Sequence, residues 1–198
     1  MKEKLQALGQ LSNAEPTFGD FHAFFKEVNE EKNERGAAIL LAANVENGLR
    51  YAIAHFLNVA PDNKLFRSSL RSFEAKTRIG REIEIFGSQM EINLDCIRAI
   101  RNAFAHAVKP IYFTTPQVRD VCDVLVMPTI LPPMSIVAAT GEPAGAMPEN
   151  PSPRIRFQKV CEAVGHNLLV HGWSFALPSR ADPKDGAFVT QVRPKPLP

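Results

Sequence analysis

Arg101, Asn102 and His106 are the residues of this chain whose types and spacing suit chemistry. They stand in the run Ile97-Arg98-Ala99-Ile100-Arg101-Asn102-Ala103-Phe104-Ala105-His106-Ala107. Asn102 and His106 are four apart, so a helix puts them on one face. Arg101 is the neighbour of Asn102, and its long side chain can reach round towards His106. A guanidinium grips phosphate through charge-assisted, often bidentate, hydrogen bonds. An imidazole is the side chain best suited to take up and return protons near neutral pH. The set therefore offers a cation, a proton carrier and an amide that could orient either. The plainer alternative is that His106 packs at a helix end and Arg101 is a solvated charge.

A helix must hold this set. Ile97, Ile100, Phe104 and Ala107 recur at helical spacing and make one apolar stripe. Lys109-Pro110 ends the helix, because proline cannot continue it and restricts the residue before it. The helix begins near Glu91, with Ile92 and Leu94 also turned inward, and Gly87-Ser88 breaks the chain before it. Upstream, Glu15-Pro16-Thr17 opens a first helix whose Phe18, Phe21, Phe24, Phe25 and Val28 read as core rather than as base-stacking aromatics. Glu30 to Leu57 is the longest helical stretch, free of proline. Its Gly36, Ala37, Ala38, Ala42 and Ala43 would let a neighbouring helix approach closely.

Within that stretch Glu46 is a charge in apolar surroundings and needs a partner. Arg50, four residues on, is the local one; Arg101 or His106 across the bundle is the functional one. Pro61-Asp62-Asn63 marks a loop. Ser72 to Phe86 reads as the next helix, with Lys76, Arg78 and Arg81 giving it a basic side and Arg67 and Arg71 just before it. With Arg98, the cations Arg71, Lys76 and Arg78 are candidate phosphate contacts, although a solvated face is the commoner fate of such charges. Pro116 to about Met127 forms a shorter helix with proline in its first turn.

Beyond Met127 the composition changes. Twelve of the sixteen prolines lie in 127–198. Met127 to Pro153 reads as a long loop, Arg154 to Trp173 as one further helix, and the stretch from Ala176 as a Pro-rich tail that wraps the body or stays disordered. Residues 1 to about 15 read as mobile or as a short, loosely held helix. The expected division is a bundle over 16–126 and a Pro-rich linker, helix and tail over 127–198, packing on the bundle or extending from it.

A net charge of +2 carries no general announcement of nucleic acid, only room for a local basic patch. Cys96, Cys122 and Cys161 are odd in number and widely spaced, with neither a zinc nor a disulfide pattern. They read as buried thiols in a reducing cytoplasm. No signal peptide is evident, and the most apolar stretch, Gly36 to Leu57, is too polar to span a membrane. The five histidines show no ligand spacing, and no glycine-rich phosphate loop is present, so no metal and no cofactor are expected.

Arg101-Asn102-Ala103-Phe104-Ala105-His106 resembles the Arg-Asn-x-x-x-His motif of HEPN-type ribonucleases and nucleotide-binding domains. Two further blocks, Glu34 to Glu46 and Ser72 to Ile79, together with Ile97 to His106, look like the mannitol operon repressor (MltR) family, which is similar to the HEPN group. The three ordered blocks fall within roughly residues 18 to 126; the chain from about Met127 lies outside the match. The resemblance implies an all-α, antiparallel, HEPN-like helical bundle. It also implies either RNA-directed activity or transcriptional regulation. In the first case the protein is a metal-independent endoribonuclease: a ribose 2′-hydroxyl attacks the adjacent phosphorus, His106 does the acid–base work, Arg101 binds the phosphate and Asn102 orients. Two copies of the motif then face each other in a homodimer. In the second case it is a noncatalytic regulator. No recognition helix stands out, so it would act through a protein partner. A toxin-like or phage-defence component, working with an activator or neutralising partner, is the third expectation.

Overall fold

The computed structural model describes residues 17–130, 147–173, 179–180 and 189–190. Among these, six α-helices form an all-α bundle: α1 (Phe18–Glu30), α2 (Glu34–Phe56), α3 (Phe73–Glu82), α4 (Ser88–His106), α5 (Pro116–Val124) and α6 (Pro153–Trp173), with a 3-10 turn at Lys64–Arg67. Ser179–Arg180 and Val189–Thr190 pair as a two-stranded antiparallel ribbon that the sequence did not suggest. The expectations for residues 1–15, for most of the 127–153 loop and for most of the tail lie outside the described residues.

Local chemistry sets most boundaries. Thr17 caps α1, its hydroxyl accepting from the Asp20 N–H while the Asp20 carboxylate accepts from the Thr17 N–H at 2.9 Å. The Thr17 hydroxyl, which donates to the Asp20 carboxylate at 2.7 Å, and then the Thr17 N–H hold that carboxyl below its usual range. Asn33 caps α2, so α1 and α2 are separate helices where the sequence pattern runs the second back to Glu30. Helix α2 ends at Asn58, whose φ of 54° is the left-handed residue of a Schellman turn closed by the bond from the Val59 N–H to the Ala54 carbonyl. Helix α3 closes the same way at Glu84 (φ 57°), with the Ile85 N–H bonded to the Gly80 carbonyl. It therefore stops at Glu82, four residues short of the expected Phe86.

Helix α4 is the hub of one side of the molecule. Its Met90, Leu94, Ile97, Ile100 and Phe104 are buried as a single stripe. Contacts along it run in opposite sense to α2 (Arg35 with Ala107, Glu46 with Arg101) and to α3 (Glu74 with Arg98, Arg81 with Glu91). These pairs are the antiparallel part of the bundle. Helix α6 instead runs alongside α2 in the same direction. Arg154 donates to the Glu31 carbonyl at one end, and Gly48 faces Leu168 at the other. Thr129, after α5, lies beside Asn167 near the end of α6.

Of the two placements expected for the last helix, the contacts show it packed into the bundle. Phe157, Val160, Cys161, Val164 and Leu168 of α6 are buried in the same core as Leu41, Val45 and Leu49 of α2. The approach is close because small residues line it. A Cβ on Gly48 would sit 3.3 Å from the Leu168 Cβ, and one on Gly165 would sit 3.2 Å from the Asn44 Oδ1. The close approach thus runs through Gly48 and Gly165, whereas Gly36, one of the small residues expected to serve a neighbouring helix, faces only Asn33 and Glu31. Phe21, Phe25 and Val28 of α1 are buried too, the two phenylalanines as core rather than as stacking platforms.

Candidate nucleic-acid groove

Three elements converge on the motif. The start of α2 holds the chain that follows α4. Arg35 Nη2 donates to the Ala107 carbonyl at 2.8 Å, and the Glu34 carboxylate accepts from the Phe113 N–H at 2.7 Å. These bonds fix the end of α4, where His106 is the last helical residue. Helix α3 and the Ser68–Ser72 loop before it face α4 from the other side. Between them lies an open groove of about 490 Å³ lined by Ser68, Arg71, Ser72, Arg98, Arg101 and Asn102 and by the carboxylates Glu46 and Glu74.

Arg101 is partly exposed in this groove. Its Nη1 donates to the Asn102 Oδ1 at 3.0 Å, and its Nη2 lies 3.8 Å from the Glu46 Oε2. The other Glu46 oxygen accepts from Lys76 Nζ at 2.6 Å, and Lys76 also donates to the Arg71 carbonyl at 3.0 Å. Glu46 thus spans Lys76 and Arg101, the cross-bundle role weighed for it in the sequence. Arg50 lies with its guanidinium 5.1 Å above the Tyr51 ring.

One expected role needs correction. Lys76 is not part of a solvated basic side: its side chain is 6% exposed and its ammonium is committed to Glu46 and Arg71. Arg78 is exposed but does not line the groove. The reason is helical geometry, since residues two apart point about 200° apart around the axis. Lys76 faces α2 and Arg78 faces out. Arg98 and Arg71 do line the groove, Arg98 bonded to Asp95 at 3.2 Å and near Glu74 at 3.7 Å.

His106 stands apart from that constellation. It is exposed, it does not line the groove, and among the described residues it makes no hydrogen bond or ion pair. Five residues on a helix turn it about 140° from Arg101 and carry it about 7.5 Å further along the axis. Arg101 reaches the Asn102 amide rather than the imidazole. Asn102 lies only about 40° from His106 and so links the groove to the histidine's strip of the surface.

Sequence pattern did not single out Ser68, Ser69 and Glu74 as lining residues. The polar run Ser68-Ser69 beside Arg71-Ser72 was their signal, as a loop of donors ahead of a capped helix. Burial raises the Cys96 thiol, with the Asp95 charge second, and pushes Cys122 up to about 12. Cys161 is raised well above its ordinary value, again by burial first. These thiols are poor nucleophiles and poor ligands as they stand. Among the described residues no group of three or more His, Cys, Asp or Glu is placed to hold a metal, and no helix is long and apolar enough to cross a membrane.

No family model matches this chain, and neither does any curated protein or solved structure, so the likeness to the MltR and HEPN groups rests on the three residue blocks themselves.

Proposed function

We propose that this protein is an RNA-directed bundle of HEPN type that cleaves RNA without a metal, as a homodimer. One observation carries the reading: Arg101 and Asn102 open into a groove shared with Arg71 and Arg98, and His106 is exposed beyond its edge. The groove supplies cations for a phosphodiester. The proton carrier comes from the neighbouring strip of α4, and a second copy of that strip supplies its counterpart. In the reaction the 2′-oxygen bonds to phosphorus and the bond from phosphorus to the 5′-oxygen breaks. One imidazole takes the 2′-proton, and an imidazolium gives a proton to the leaving oxygen. The dimer matters because one chain does not bring its imidazole to its own guanidinium.

The test is labelled RNA incubated with purified protein in EDTA. Wild type should cut, leaving a 2′,3′-cyclic phosphate. His106→Ala should lose at least about 100-fold in rate. Sedimentation should give twice the chain mass. Uncut RNA with wild type and variant alike would leave the second reading, a noncatalytic MltR-like regulator acting through a protein partner. That reading is favoured by the distance of His106 from the groove and by the carboxylate neighbour Arg101 already has.

A further inference from the structure

A second pocket adjoins the motif groove. It measures about 200 Å³ and is lined by Asn47, Arg50, Asp62, Asn63, Phe66 and Arg67, with Asp62 not within ion-pair range of either Arg67 or Arg71, and it shares Glu46 and Arg71 with the groove. Arg71 therefore stands on the ridge between the two cavities. The cations of this surface are not equivalent. Arg101 has Glu46 beside it, Arg98 has Asp95 and Glu74, and Lys76 is spent on Glu46. Arg67 and Arg71 are exposed, and among the described residues neither side chain has a carboxylate in ion-pair range. Unpaired guanidiniums lining adjoining concavities focus positive potential and attract anions.

We propose that Arg71 and Arg67 form a second phosphate-binding site, and that single-stranded RNA runs from the motif groove over Arg71 into the pocket beside Arg67. The inference rests on the RNA-directed reading and names the form of RNA. A ligand with one phosphate fills one cavity only; a polynucleotide offers a phosphate to each. The pocket is too small for a duplex, whereas a single strand can bend over the ridge and place a base inside. Asn63 uses its Oδ1 to cap the 3-10 turn, at 3.0 Å from the Leu65 N–H, which leaves its NH2 for a base edge or ribose. The exposed amide of Asn47 adds a second polar contact.

The experiment is fluorescence anisotropy with a labelled 12-nucleotide single-stranded RNA across a salt series, in the His106→Ala background so that the probe stays whole. Arg71→Ala should weaken binding at least about tenfold and Arg67→Ala about fivefold, and removing either guanidinium should lower the salt slope by about 0.7. Arg119→Ala, on α5 and paired with Asp120, should leave binding unchanged. A dinucleotide and a 12-base-pair duplex should both bind far more weakly than the single strand. Parental affinity and salt slope in both arginine variants would overturn the proposal. So would equal affinity for the duplex, or displacement of RNA by polyglutamate as readily as by RNA, which would mark an acidic-peptide site. Cleavage by wild type alongside unaffected Arg67 and Arg71 variants sinks this site and leaves the nuclease. Arg71-dependent binding without cleavage does the reverse.

Discussion

Helix α4 has two seams, and they are built from different chemistry. Against α2 and α3 the polar groups are charged: Lys76 and Glu46 at 2.6 Å, with Arg101 3.8 Å from the second carboxylate oxygen. Towards α5 and α6 the interior polar groups are mostly neutral, the exception being Arg156 of α6, whose buried Nε lies 3.8 Å from Asp123 of α5. Asn93 of α4 holds the Val126 backbone with both ends of its amide, donating to the carbonyl at 2.7 Å and accepting from the N–H at 3.0 Å. Asn167 of α6 donates to the Thr129 carbonyl at 2.8 Å. Cys96, Cys122 and Cys161 lie on this side as well. An amide that meets two backbone groups is satisfied in place and fixes the chain. A buried ion pair keeps charge to spare, and here the spare oxygen meets the residue that faces the groove. The neutral seam holds the fold; the charged seam ties the fold to the site.

Breaking the charged seam should have the largest effect. Lys76→Ala strands the Glu46 carboxylate, whose side chain is 19% exposed, with Arg101 as its remaining partner. Removing one member of a buried pair leaves an uncompensated charge, and about 3 kcal/mol of stability should be lost in urea denaturation. Arg101 should also be drawn towards Glu46 and away from the groove, so the RNA binding proposed above should weaken in the same variant. Lys76→Met with Glu46→Gln should recover most of the stability, because both charges then go together. A single variant that is as stable as wild type would mean that the seam is hydrated and that the contrast does not hold.

Asn93→Ala probes the other seam. It removes two hydrogen bonds and leaves a backbone N–H and a carbonyl to find water, at a cost of about 2 kcal/mol by the same denaturation measurement. RNA affinity should be unchanged once the folded fraction is accounted for. Equal loss of affinity in the Asn93 and Lys76 variants would erase the division of labour between the seams.

Much of the architecture was readable because it rests on local pattern. The apolar spacing of Ile97, Ile100 and Phe104, the stop at Lys109-Pro110 and Pro116 at the start of α5 each act within a turn or two. Glu84 shows where such reading ends. Its left-handed backbone closes α3, yet glutamate carries no signal for that conformation, and the apolar pattern runs on to Phe86. The direction of α6 along α2 was equally hidden, since it depends on where a long connection returns. Of the candidate site, the Arg101–Asn102 pair could be seen in the residues, but the reach of Glu46 across the bundle only as the alternative to a local pair with Arg50. The commitment of Lys76 to Glu46 could not, because a lysine in a basic run looks the same whether it faces water or a carboxylate thirty residues away.

The smallest expected effect separates the seams by pH. Cys122 sits in the neutral one, fully enclosed, and burial, then the nearby Asp123 and Cys96 charges, push its thiol from 9.0 up to about 12. The folded chain keeps that proton while the unfolded chain releases it, so the unfolded state binds fewer protons above pH 9. The contribution of Cys122 is therefore intact below pH 9 and is lost as pH climbs from there towards 12. At pH 10 the loss should be about 1 kcal/mol. Lysines titrate in the same range, so the quantity to measure is the change in unfolding free energy between pH 8 and pH 10 in wild type minus that in Cys122→Ala. A difference near 1 kcal/mol places the effect on this thiol. Parallel declines would mean that Cys122 ionises within the native fold, and the interior between α4, α5 and α6 would then be open to water rather than closed by amides and thiols.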